Sequence, residues 1–234
     1  MPVPEELLAA ARKFNASATL SLLESYYPLT HRIAYALCGD PAVADRIIKQ
    51  VMRRALSVLP RWRDETLPDR WFYHHTVLAC RSVGKQQQNV PQGIDALIPS
   101  VAGAAYVAFI RTLRLLPTQQ REAVVLSQGE RLNARFLGIA MDCSGNAAGA
   151  HLQAATDTLR EMIGDRLNPL YVEFTHVYKA LAPSAPALAS LRGNVALFTW
   201  PRLVWRRIVL FTVIALIVAA AWGAWHFRYL LPNF

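Results

Sequence analysis

Eighteen consecutive residues, Ile208 to Trp225 (IVLFTVIALIVAAAWGAW), carry no charged side chain and a single hydroxyl, Thr212. As a helix this run spans about 27 Å at ~1.5 Å per residue, close to the ~30 Å of bilayer hydrocarbon. Leu203 and Val204 before it, and Tyr229 to Leu231 after it, extend the apolar body. Trp200, Trp205, Trp222, Trp225 and Tyr229 bracket the span as interfacial aromatics do. A core helix of a soluble domain is the other reading. A run apolar on every face favours a membrane anchor over it.

The flanks predict orientation. Arg202, Arg206 and Arg207 precede the span, and Arg228 follows it. The more basic side stays in the cytoplasm. The chain is therefore expected in the cytoplasmic membrane as a single-pass protein, with its N-terminal domains in the cytoplasm. The opening MPVPEELLAAARKF is acidic and amphipathic, without the apolar stretch of a signal peptide.

The other two hundred residues hold enough apolar side chains for a packed core, since 53% of the 234-residue chain is hydrophobic. That composition excludes a disordered tail and a disulfide-stapled miniprotein. Twenty-five Lys+Arg against 16 Asp+Glu give a net charge of +9, which points to nucleic acid or lipid head groups as partners. Cys38, Cys80 and Cys143 lie far apart without a C-x-x-C pair, and are expected as buried reduced thiols. His74 and His75 would point about 100° apart on a helix, which predicts no metal site there. No glycine-rich phosphate loop, H-E-x-x-H or nucleophile elbow occurs. The expectation is a protein that is not an enzyme and has no cofactor.

The hydrophobic pattern predicts an all-α chain: two small helical domains and one C-terminal transmembrane helix. Leu7 to Phe14 is a short helical pattern, and Ala18 to Leu37 gives one or two helices broken near Pro28. Asp40-Pro41 is an N-cap followed by proline at the first helical position. The helix after it carries Val43, Ile47, Val51, Ala55 and Leu59 at four-residue steps, and Pro60 closes it. Pro68 opens a helix to about Val83. Residues 1–84 form the first domain and 85–100 a Gln/Gly/Pro linker. Residues 101–165 form a second domain of four short helices, the last from about Asn146 to Ile163. A juxtamembrane helix and a Pro/Ala linker (Ala182 to Ser190) fill 166–201, and 202–231 is the anchor.

Two segments carry a resemblance. LLESYYPLTHRIAYALCGDPAVADRIIKQVMRRAL, followed by WFYHHTVLACR, resembles the promoter-melting domain of bacterial sigma factors of the extracytoplasmic-function class. LRLLPTQQREAVVL, a break, then LQAATDTLR resembles that class's helix-turn-helix domain. The similarity covers roughly 20 to 163. It is carried by Tyr26-Tyr27-Pro28, Gly39-Asp40, Ala44, Trp71, Leu116-Pro117, Gln120-Arg121-Glu122, Leu126, Leu152, Ala155 and Leu159-Arg160.

The resemblance implies a subunit that binds RNA polymerase core, opens promoter DNA and answers to an anti-sigma regulator. Polymerase docking would fall to Asp45, Arg46, Lys49 and Arg53 on the long central helix. Single-stranded DNA of the minus-ten element would meet Arg61, Trp62, Arg63, Arg70, His74, Arg81 and Lys85, because unpaired bases are held by aromatics interleaved with cations. In this reading Trp71 packs inside and Trp62, in a polar loop, is the stacking residue. The helix-turn-helix would read duplex with its last helix in the major groove, and Asn146, His151 and Gln153 are its polar candidates.

The chain also departs from that pattern. Arg46 and Lys49 stand where the family has aspartate and glutamine. The start of the reading helix is Ala147-Ala148-Gly149-Ala150-His151, where alanine and glycine offer no side-chain donor to a base edge. Residues 91–165 carry 6 Lys+Arg and 7 Asp+Glu, net −1, whereas duplex binding draws most of its affinity from phosphate neutralisation. The functional expectation is a membrane-tethered sigma-like initiation factor. The alternative is a degenerate sigma-like interaction protein that binds polymerase or a regulator without promoter recognition.

Overall fold

The computed structural model describes residues 3–63, 68–84, 95–183 and 185–230; of 200–203, 205–207 and 226–230 it describes the backbone alone. Among the described residues every regular element is helical. The first helix, α1 (Glu5–Arg12), leads through Phe14, at φ 60°, into α2 (Ala16–Cys38), capped by the Asn15 side chain. Pro28 lies inside α2 without breaking it. The proline removes one backbone bond, but Leu22, Leu23, Tyr26, Tyr27, Ile33 and Ala34 on both sides are buried, and that packing holds the helix through.

Gly39, at φ 73°, ends α2, and Asp40 opens α3 (Pro41–Val58) by accepting from the amides of Ala42 and Val43. The expected cap and N1 proline are thus in place. A 3-10 turn (Leu59–Arg61) folds Trp62 back inward, and α4 (Pro68–Gly84) follows. Within the expected linker, Asp95 to Ser100 is built into the body: Leu97 is fully buried and Asp95 holds Arg114. The rest of that linker lies outside the described residues.

The second group comprises α5 (Ala104–Leu115), α6 (Thr118–Val124), a π turn (Val125–Gly129), α7 (Ala134–Met141), α8 (Gly145–Ile163) and α9 (Leu167–Ala180). Phe109 meets Tyr171 and Phe174 edge-on at 5.9 and 6.1 Å and so joins α5 to α9, and Phe174 in turn meets Tyr178 at 5.8 Å. Gly129 lies under the Tyr178 ring, where an added Cβ would sit 2.9 Å from ring carbons. Helix α7 packs on α4, and α9 touches α2. The two groups therefore share a seam.

The last helix, α10, runs unbroken from Ala185 to Leu230. The Pro/Ala linker expected at Ala182 to Ser190 is corrected here: helix resumes at Ala185. Pro186 falls at the second helical position, where its missing N–H is no loss. Leu191, Val195 and Thr199 are buried on the α2 and α3 side, Arg192 pairs with Glu24 at 2.9 Å, and Phe198 meets the Phe14 ring at 6.1 Å. Beyond this, Ile208–Trp225 is long and apolar enough to cross a membrane, with mean hydropathy 2.4 and none of it buried.

Candidate nucleic-acid and polymerase interface

Helix α3 buries Val43, Ala44, Ile47, Ile48, Val51, Met52, Ala55 and Leu56. The same period puts Arg46, Lys49, Arg53 and Arg54 on the outer face, all exposed. Asp45 is half-buried and accepts from the Tyr35 hydroxyl at 3.0 Å. Burial, with that bond to Asp45, pushes the Tyr35 phenol up to about 12. Asp45 is thus engaged with α2, while three of the four expected docking residues are presented as a cationic row.

The residues expected to meet single-stranded DNA divide. Arg61 and Arg63 are exposed beside the 3-10 turn, and Lys85 lies outside the described residues. Trp62 is a correction: it is 4% exposed, with its ring 5.3 Å from Trp71 and 6.0 Å from Phe72. Trp71 is the more exposed of the two indoles and packs on His75 at 4.2 Å. The turn after α3 reverses the chain and carries Trp62 into the core, which a reading of local polarity misses.

Arg70, His74 and Arg81 lie on the face of α4 that meets the second group. The Arg70 guanidinium sits over the Phe136 ring at 5.3 Å. His74 Nδ1 lies 3.2 Å from the Ile139 carbonyl and, as the Nδ1–H tautomer, donates to it. Arg81 donates to both Glu122 oxygens at 2.8 and 2.6 Å and to the Met141 carbonyl at 2.7 Å. A guanidinium matched to a carboxylate in this two-pronged way is a strong, directional contact.

Two further carboxylates bind the groups together. Glu130, at the end of the π turn, accepts from Arg32 at 3.0 and 2.9 Å, from Tyr178 at 2.9 Å and from Tyr73 at 3.4 Å. It thereby joins α2, α4 and α9. Asp95 accepts twice from Arg114, whose other amino group donates to the carbonyls of Ala36 and Leu37 in the last turn of α2. Beside Arg114 lies Arg121, whose Nε is buried without a partner. Interaction with the Cys80 thiol, with Arg114 and Arg121 nearby, holds Cys38 below the usual thiol range, while Cys38 and burial push Cys80 above it. All three cysteines are free; Cys80 is buried, Cys38 and Cys143 half-buried. The sequence reading missed this seam. Its one signal was Glu122, a carboxylate that leads directly into the apolar run Ala123 to Leu126.

Helices α7 and α8 meet at a three-residue turn. Asn133 and Ser144 cap the two helices through side-chain oxygens, and Asp142 adopts the left-handed conformation at φ 58°. Gly138 makes the crossing possible, since a Cβ there would stand 2.8 Å from the Cys143 carbonyl oxygen and the Gly145 nitrogen. On α8, Asn146 and Gln153 are exposed and His151 is half-buried. Gln153 donates to Asp157 at 2.9 and 3.1 Å. Ala150 is exposed between them, and Gly149 faces open space.

No family model matches the chain, and no curated protein does. Among solved structures it is similar to the sigma factor RpoE from Bartonella quintana, determined in complex with the anti-sigma factor NepR. The two are 15% identical, with a TM-score of 0.49 over 62% of this chain and 96% of that one.

Proposed function

We propose that this chain is a membrane-tethered, sigma-like transcription initiation factor, held closed with part of its DNA-reading equipment withdrawn. Polymerase core would meet the exposed Arg46, Lys49 and Arg53 of α3. Ile208–Trp225 would anchor the chain, with the N-terminal helices in the cytoplasm. The family framework between 20 and 163, with its tight α7–α8 turn in the helix-turn-helix position, supports the class. The observation that carries the closed state is the orientation of Arg70, His74 and Arg81 toward α6 and α7. Promoter opening would require the seam to part, and an anti-sigma regulator would bias that step.

A second reading is a sigma-like interaction protein that binds polymerase or a regulator and drops promoter recognition. It is favoured by the bare start of α8 and by the engagement of Gln153 with Asp157. The test is in vitro transcription with polymerase core and the full chain in nanodiscs, as wild type and as Glu122→Ala. Core capture by both, with strand opening by the variant, supports the initiation factor. Core capture without opening by either supports the interaction protein. Absence of core capture removes the initiation factor and leaves the interaction protein with a regulator as its partner.

A further inference from the structure

A cleft of about 240 Å³ opens between the π turn and α9, and the reading above does not use it. At its edge Arg131 has a left-handed backbone, at φ 56°, which is costly for a residue with a Cβ. The two neighbours part there. Glu130 takes hydrogen bonds from Arg32, Tyr73 and Tyr178 in the seam, while Arg131 is exposed and lines the cleft. Thr175 ties the two walls together, its hydroxyl donating to the Gln128 carbonyl at 3.1 Å and to the Tyr171 carbonyl at 2.8 Å. Gly129, packed under the Tyr178 ring, lets the π turn come this close to α9. The cleft is thus held in shape by the chain's own contacts.

Its lining carries one sign of charge. Arg131 contributes from the loop, and His176 and Lys179 from one face of α9, all three exposed. No carboxylate lines the cleft: Glu130 is taken up in the seam, and Glu173 is absent from the lined face of α9. Among the described residues none of the three makes an ion pair. A concavity lined by cations alone focuses field on an anion. Arginine meets phosphate oxygens with a planar fork and lysine with a point charge, so Arg131 and Lys179 together match a dianion. The volume falls below the ~300–1,000 Å³ of drug-sized sites, which favours a small ligand, and Val172 offers it an apolar side. We propose that this cleft binds a small phosphomonoester. Arg131 and Lys179 share its charge, the His176 ring and the Gln128 amide donate to its remaining oxygens, and Val172 lies against its organic part. A free ester and a phosphatidic acid headgroup present this same group.

The experiment titrates the full chain, in micelles of an uncharged detergent, with glycerol 1-phosphate, inorganic phosphate and glycerol. Calorimetry at fixed ionic strength and pH 7.5, where the ester is largely a dianion, reads the binding. A parallel arm compares hydrogen exchange in nanodiscs with and without phosphatidic acid. The expected result is saturable one-site binding of glycerol 1-phosphate, none of glycerol, and slower exchange in the π turn and α9. Arg131→Asn, which suits a positive φ, and Lys179→Gln should each weaken binding roughly fivefold, the upper end for an exposed charge pair. Neither should lower the unfolding midpoint of the ligand-free chain, and Arg46→Gln on α3 should leave binding unchanged. Titration in micelles assigns a free ester; protection of α9 only in discs bearing phosphatidic acid assigns a lipid headgroup. Binding that never saturates, an equal loss in Arg46→Gln, or full affinity in the double variant Arg131→Asn/Lys179→Gln would overturn the proposal. So would a DNA oligonucleotide that needs Arg131 and Lys179 while no phosphomonoester binds. None of these outcomes depends on polymerase capture.

Discussion

Replacing Glu122 by alanine tests whether the seam is held by directed charge pairing. Glu122 is 1% exposed and takes both of its hydrogen bonds from Arg81, at 2.8 and 2.6 Å. Removing it strands a guanidinium that is only 20% exposed, with the Met141 carbonyl as its remaining acceptor. Stripping one partner from a buried ion pair costs about 3–5 kcal/mol. The retained carbonyl and the partial exposure of Arg81 place this case near the lower end. A loss of ~3 kcal/mol lowers the midpoint of a body this size by roughly 6–12 °C. The assay is thermal unfolding of the full chain in detergent, followed by near-ultraviolet circular dichroism. Hydrogen exchange in α4 and α7 localises the effect. The double variant Arg81→Met/Glu122→Leu should recover most of the loss, since apolar replacement of a buried pair is often neutral. A single-variant loss below ~1 kcal/mol, or a double variant no better than the sum of its parts, would refute the reasoning.

Three other outcomes follow from the geometry. Gly138→Ala drives a Cβ against the Cys143 carbonyl and the Gly145 amide, and should cost ~1–3 kcal/mol as an overpacked contact, read as a lowered unfolding midpoint. Burial, with Arg54 and His74 nearby, holds His75 down to about 4 against an ordinary 6.5. The unfolded chain therefore binds the extra proton between those values. Stability should fall as pH drops from 6.5 to about 4, with no further loss from this group below that, and His75→Gln should flatten the slope in denaturant titrations. Leu216→Arg places a cation near the centre of the apolar span, at ~2.5–3.5 kcal/mol, and should shift the chain out of the carbonate-resistant membrane fraction.

Much of the helical layout was legible because its signals are local. Asp40-Pro41 announced the start of α3, its four-residue period announced the buried face, and the uncharged run announced the exposed helix at 208–225. Pro28 misled because a proline's cost can be outweighed by packing that only the assembled fold supplies. Ala182 to Ser190 misled because alanine is a strong helix former and proline is tolerated in a first turn. The candidate site was harder to read. Arg70, His74 and Arg81 have the composition of a nucleic-acid surface, but their partners, Phe136, the Ile139 carbonyl and Glu122, lie 41 to 66 positions along the chain. Single-sequence patterning carries no information at that range. Trp62 belongs with them: its neighbours in sequence are polar and its neighbours in space are Trp71 and Phe72.

The 46-residue rod from Ala185 to Leu230 is about 69 Å long at ~1.5 Å per residue, and its lower third is clamped to the body at Leu191, Val195 and Phe198. Ten residues, or roughly 15 Å, separate that clamp from Ile208. If Ile208–Trp225 crosses a bilayer as proposed, the body would stand on a mast. It would turn and drift with the bilayer and have little freedom to bow, swivel or reach. A macromolecule that docks on α3 would then have to be brought up to the membrane.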